Sequence, residues 1–194
     1  MFLRATFIAF IASSPLAAHA DAQEIAPPTP YEDVGACPFE CCMYREWTST
    51  SRVTLFRDRR EDSGTSFVAE SGDRVRAITG IVVTTQPGLA QVDRPVDLWT
   101  TEGPIHLVPG DTLYLLTNHG EGDFTAWFKG RLYDSVDASG FAGVNAVCEA
   151  RPEKCNGRVT QPAVSEWWVR VRSLKGVTGW TREPQKFSNK DRCG

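Results

Sequence analysis

The chain has 194 residues, enough for one large domain or two small ones, and carries 21 Lys and Arg against 24 Asp and Glu. That formal charge of −3 excludes the basic surplus or stripe of a nucleic-acid-binding protein, and Arg59-Arg60 and Arg170/Arg172 are too short to supply one. Six cysteines are too few for a scaffold held by disulfides alone, so bridges are expected to support a hydrophobic core to which six Trp and ten Phe contribute.

Residues 1–20 have the three parts of a secretory signal peptide: Arg4 near the start, an apolar run from Ala5 to Ile11, and Ala18-His19-Ala20 as a small-x-small cleavage site. Cleavage after Ala20 predicts an exported chain, periplasmic or secreted, with its cysteines where disulfides persist. No cysteine follows the cleavage site, so Cys37 is not placed for lipid attachment. No later stretch approaches the ~20 apolar residues that span a bilayer, so the cleaved product is expected to be soluble. Residues 21–30, ending Pro27-Pro28-Thr29-Pro30, read as an extended, poorly ordered lead-in.

From Tyr31 the chain reads as all-β. Arg52–Arg57 has strand composition. Arg74–Thr79 puts Val75, Ala77 and Thr79 on one face, with Ile78 breaking the alternation, and Ile81–Thr85 is β-branched throughout. Thr65–Glu70 and Pro104–Val108 are further strands. Asp111–Thr117 sets Leu113 and Leu115 opposite Tyr114 and Leu116, and Asp123–Lys129 sets Phe124, Ala126 and Phe128 against Trp127. Val136–Ala150 is the best helix candidate, weakened by Gly140 and Gly143. Glu166–Arg172 sets Trp167, Val169 and Val171 on an apolar, inward face and Trp168, Arg170 and Arg172 on an outward one. Short strands separated by Gly, Pro, Asp and Asn predict a barrel or sandwich. Gly72-Asp73-Arg-Val75-Arg-Ala77 also recurs as Gly110-Asp111-Thr-Leu113-Tyr-Leu115, each copy a Gly-Asp turn feeding a strand.

The segment Trp167-Trp168-Val-Arg-Val-Arg-Ser-Leu-Lys-Gly176-Val-Thr-Gly179-Trp180 resembles the last hairpin of bacterial Src-homology-3-like domains, and the two Gly-Asp copies resemble an earlier turn of that family. The likeness spans roughly residues 52–181. It implies two small β-barrel lobes, or one barrel with a β extension. The expected division is an N-terminal lobe at 31–100 and a C-terminal lobe at 101–194 carrying an insertion at 134–165. Gly179 is expected to bend the chain before Trp180. The opening Gly35-Ala-Cys37-Pro-Phe-Glu-Cys41-Cys42-Met-Tyr-Arg-Glu-Trp47 is similar to the start of exported bacterial proteins of unknown function. In the resembled domains, aromatics from neighbouring strands line a groove for extended peptides. That implies ligand-binding roles for Trp127, Trp168 and Tyr114, with Trp167 and Trp180 nearby; the competing expectation is that these aromatics are core or inter-lobe packing.

Sequence alone does not select among the pairings open to six cysteines. Spacing favours Cys148–Cys155 around a short loop, Cys193 reaching back to Cys41 in the first cluster, and Cys37–Cys42 as a small ring. Zinc held by Cys37, Cys41, Cys42 and another ligand, or a redox cysteine, are the alternatives, although adjacent Cys41 and Cys42 lack the usual metal spacing. His106, flanked by Ile105 and Leu107, is expected to point outward, and His119 lies in the polar loop Asn118-His-Gly-Glu121-Gly-Asp123. No Gly-x-Ser-x-Gly elbow, phosphate-cradling loop or Cys–His motif marks a catalytic centre, and no cofactor or metal is expected. The expected function is non-enzymatic binding of a cell-wall peptide or an envelope protein. The rivals are an accessory protein whose lobes bind nothing small, and an enzyme using a thiol or carboxylates.

Overall fold

Period-two alternation becomes strand wherever the sequence shows it. The computed structural model describes residues 25–144 and 146–193. The strands are β1 Tyr31–Val34, β2 Glu46–Ser49, β3 Val53–Asp58, β4 Arg60–Ala69, β5 Arg74–Gln86, β6 Gly88–Val92, β7 Val96–Leu98 and β8 Ile105–Leu107. They continue as β9 Thr112–Gly120, β10 Asp123–Phe128, β11 Arg131–Asp137, β12 Phe141–Ala142, β13 Gly157–Gln161, β14 Val164–Ser173, β15 Thr178–Thr181 and β16 Phe187–Ser188. The helix anticipated across 136–150 is a single turn, α1 Ala146–Glu149; β11, a turn and β12 take up the rest. Val136 and Phe141 are fully buried there, so core packing outweighs a helical propensity already lowered by Gly140 and Gly143.

The strands form an eight-stranded sheet, ordered β16-β2-β5-β14-β15-β3-β4 with β1 also on β5, a six-stranded sheet ordered β11-β10-β9-β6-β13-β12, and the hairpin β7-β8. Each large sheet has its own core. One gathers Trp47, Val53, Leu55, Val75, Ala77, Val169, Val171 and Phe187. The other gathers Ala90, Val92, Leu107, Leu113, Leu115, Phe128, Val136 and Phe141. These cores correct the expected division at residue 100. The second lobe is the continuous stretch β6–β13, inserted between β5 and β14 of a host lobe whose two parts flank it in sequence. The host needs both parts because β14 pairs with β5 along its whole length, from Val164↔Gln86 to Ser173↔Val75. Ile78 breaks the alternation because it is the extra residue of a bulge: Arg170 pairs with Thr79 and Val171 with Ala77.

The lobes share one plan. Each runs opening strand (β2 or β6), hairpin (β3-β4 or β7-β8), central strands (β5, β14, β15 or β9, β10, β11) and closing strand (β16 or β13). The Gly-Asp repeat is the same turn twice. Gly72 and Gly110 have φ of 89° and 97°, a region glycine enters without penalty. Asp73 Oδ2 accepts from Glu70 N at 2.8 Å, and Asp111 Oδ2 accepts from Val108 N at 2.8 Å. Gly72 N donates to Ser49 O, the end of β2, and Gly110 N donates to Val92 O, the end of β6. Before each closing strand lies a 3-10 turn, Pro152–Lys154 and Pro184–Lys186. The closing strands then meet the ends of the opening strands, Gly157↔Val92 and Phe187↔Ser49.

The three disulfides are Cys37–Cys42, Cys41–Cys193 and Cys148–Cys155, the pairing favoured by spacing. No described cysteine is free. Among the described residues, no helix is long and apolar enough to cross a membrane. Gly176, at φ 84°, makes the β14-β15 turn. Gly179 works differently from expectation: it lies inside β15, where a Cβ would come within 2.7 Å of Leu55 Cβ, so close strand approach excludes a side chain.

Candidate functional site: an aromatic row on the inserted lobe

Alternation in β9 and β10 turns Leu113, Leu115, Phe124, Ala126 and Phe128 into the inserted core, which leaves Tyr114 and Trp127 on the other face. Strand register sets these two opposite each other, Trp127↔Tyr114, and extends the row on both sides through Trp127↔Leu132 and Tyr114↔Leu89. Leu132, Trp127, Tyr114 and Leu89 thus run side by side across β11, β10, β9 and β6, all half-buried. Directly opposed side chains sit close enough to form one continuous apolar surface.

The chain's own lead-in touches this row. The Trp127 indole N–H donates to the Ile25 carbonyl at 2.7 Å. Ile25 also lies over the β10-β11 turn, where its Cδ1 is 3.5 Å from the place a Gly130 Cβ would occupy. Pro27 is buried. Residues 25–28 have no regular secondary structure and Thr29-Pro30 bends into β1, yet the segment is anchored at Ile25 and Pro27; residues 21–24 lie outside the described residues. The signal peptide likewise lies outside them.

Trp168 is not part of the row. It sits on β14 in the other sheet and is only 6% exposed, which corrects its outward, solvent-facing assignment. Its face of the sheet is the outer one, and Arg170 and Arg172 on it are exposed as expected, but around Trp168 itself Glu32 of β1 and Asp58, Arg59 and Arg60 of the β3-β4 tip line a slot of about 340 Å³ with Val83 and Glu166. Arg59 grips both Glu32 carboxylate oxygens at 3.0 Å, joining hairpin tip to β1. The covering hairpin and the added strand β1 are tertiary features that alternation within β14 does not reveal. Trp167 faces inward as expected, against Phe39, Tyr44 and Trp47. Trp180 is half-buried, with the Arg170 guanidinium over its ring at 5.9 Å.

Other candidates resolve into structural contacts. His106 is exposed and paired with Asp97 at 2.7 Å across β7-β8. His119 Nε2 lies 2.9 Å from Thr125 Oγ1, whose hydroxyl is 3.3 Å from Asp33 Oδ2. Thr125 is 2% exposed, so this trio offers no open nucleophile and instead fastens β1 to the inserted lobe. Glu40, Cys41 and Cys193 cluster closely, but both sulfurs are committed to a disulfide. Glu121, Asp123, Asp137 and Ser139 line an open polar hollow at the β9-β10 loop.

Tyr31 opens β1, and Tyr44 packs against the host core beside Trp47 and Trp167. Burial, then the charges of Asp33 and Asp134, pushes the Tyr31 phenol up to about 12. Burial chiefly pushes Tyr44 up to about 12, against the hydrogen bond from Trp167.

No protein-family model, curated protein or solved structure matches this chain. The row, the strap across it and the shared plan of the lobes are the observations on which a function must rest. Sequence alternation turns Trp127 and Tyr114 off the core face, as the structure has them; it says nothing of Leu132 and Leu89, because only register shows that four strands place them in line.

Proposed function

We propose that this protein is an exported, non-enzymatic binding module that takes an extended peptide, from the cell wall or from an envelope protein, along Leu89, Tyr114, Trp127 and Leu132. The observation that carries this reading is the half-buried row of four cross-strand neighbours with a backbone carbonyl already bound to its tryptophan. A flat aromatic surface with one indole donor suits extended chain, which offers carbonyls at regular spacing and loses little entropy on docking. We also read both lobes as Src-homology-3-like barrels. Support comes from their common strand order, with the fourth, third, second, first and fifth strands adjacent in each sheet, and from the repeated Gly-Asp turn. The three disulfides support a periplasmic or secreted location.

The test is capture from purified cell wall and from periplasmic extract by the wild type and by the double variant Tyr114→Ala/Trp127→Ala. The reading expects partners that the wild type retains and the variant loses, with an unchanged far-ultraviolet spectrum. Identical capture by both would remove the row from the function. The accessory reading, in which the lobes bind nothing small, draws on the burial of Trp168 and the packing of Trp167 on the host core, and gains if neither protein captures anything.

A further inference from the structure

The strap on the row differs from the strand that follows it. Residues 31–34 are held many times over. β1 pairs with β5 from Tyr31↔Thr84 to Val34↔Ile81, Glu32 is gripped by Arg59, and Asp33 accepts from Thr125. Upstream, Ile25 has the hydrogen bond from Trp127 and its approach to Gly130, and Pro27 is buried. Pro27, Pro28 and Pro30 have no backbone N–H, so at those positions the strap can accept but not donate. The segment thus offers backbone acceptors beside the row, one of which the Trp127 indole takes.

Resting on the binding reading above, we propose that Ile25–Pro30 is a resident, displaceable ligand of the row, and that an external extended peptide binds by peeling this segment back as far as Tyr31. Gly130, at a φ of 83°, forms the tight β10-β11 turn against which the Ile25 side chain rests. A tethered segment competes at an effective concentration on the order of millimolar, so modest contacts suffice to keep the row filled. Downstream, β1 stays paired whether the strap is on or off, and the lobes keep their arrangement.

The test uses the full chain, a variant with Ile25→Gly and Pro27→Gly, and a synthetic peptide with the sequence of residues 21–30. Tryptophan indole N–H resonances report the Trp127 bond directly. The expected result has three parts. The Trp127 resonance shifts in the strap variant. Millimolar peptide restores it there. The peptide binds the variant at least tenfold more tightly than the wild type, and adding Trp127→Ala abolishes binding. Equal affinity for wild type and variant, no peptide binding to either, or a Trp127 resonance unmoved by loosening the strap would each overturn the proposal. Cell-wall or envelope capture by the same strap variant separates the two ideas. Capture without peptide binding defeats only the resident-ligand proposal, whereas no capture even with the strap loosened defeats the binding reading as well.

Discussion

At the scale of single residues, Thr117 is a cost built into the inserted lobe. Its hydroxyl is fully buried with no hydrogen-bond partner among the described residues. A buried unpaired hydroxyl forfeits its hydration without replacement. Thr117→Val, similar in shape, is expected to raise stability by about 1 kcal/mol in urea denaturation; a loss of stability would mean the hydroxyl is paired after all. The two tyrosines give a pH signature. Their phenols ionise near 12 in the fold, above the ordinary value of 10.0. Their contribution to stability is complete below pH 10, where both folded and unfolded phenols hold their protons. It is lost as pH rises from 10 towards 12, because the unfolded chain then releases protons that the native one keeps. Ultraviolet titration of native protein should show late-ionising phenols that move to about 10 in denaturant, and Tyr44→Phe should remove one of them. Neither feature was legible in the sequence, because both depend on what surrounds the side chain and not on its neighbours in the chain.

At the scale of elements, β14 shows how far alternation reaches. It correctly turned Trp167, Val169 and Val171 into the host core. It could not show that a hairpin tip and an added strand close around Trp168 on the opposite face, where Arg170 and Arg172 stay exposed, so Trp168 alone of that face is buried. The prediction for this pair follows: Trp168→Ala should destabilise by about 3 kcal/mol or more, since it removes a large buried ring, and Trp167→Ala, which removes a half-buried ring packed on the host core, by no more than that. A Trp168→Ala protein with an unchanged melting temperature would show that this enclosure is open in solution. The candidate row was half legible for the same reason. Residues on one strand declare their face through period two, but alignment between strands is fixed by register and bulges. The bulge at Ile78 was visible as a broken pattern, whereas the bulge where Thr125 pairs with Thr117 but Ala126 with Leu115 left no trace in composition.

At the scale of the molecule, the Gly-Asp repeat was a fragment of a larger plan shared by the two lobes. Pro152-Glu153-Lys154 and Pro184-Gln185-Lys186 are its second visible mark, each a short turn before a closing strand. The all-β class and the disulfide pairing were readable, since local spacing and turn chemistry determine much of both. The nesting was not, because it depends on β5 and β14 meeting across the whole insert. The Cys41–Cys193 bridge closes the outermost loop, with a sequence separation of 152 against 5 and 7 for the other two. Loop-closure entropy then assigns it up to about 5 kcal/mol and the short bridges about 2 kcal/mol each. The Cys41→Ser/Cys193→Ser variant should accordingly show the largest fall in denaturation midpoint of the three paired replacements; an equal fall for all three would point to local strain or packing instead.

Nesting also imposes an order of events. The host lobe cannot close until Gln86 and Val164 come together, and a floppy insert would set a closure cost of about 4 kcal/mol on that step. A folded insert removes it: Gln86 Nε2 donates to Pro162 O, Gln161 Nε2 donates to Pro87 O, and the two linkers leave the inserted lobe side by side. The insert therefore serves as the jig on which its host is assembled, contiguous in sequence and able to form first as the chain emerges. Replacing the buried Leu113 by Ala should slow host formation, followed at Trp167, as much as it slows the insert's own, and a host that folds at its normal rate beside a crippled insert would show that the halves find each other unaided.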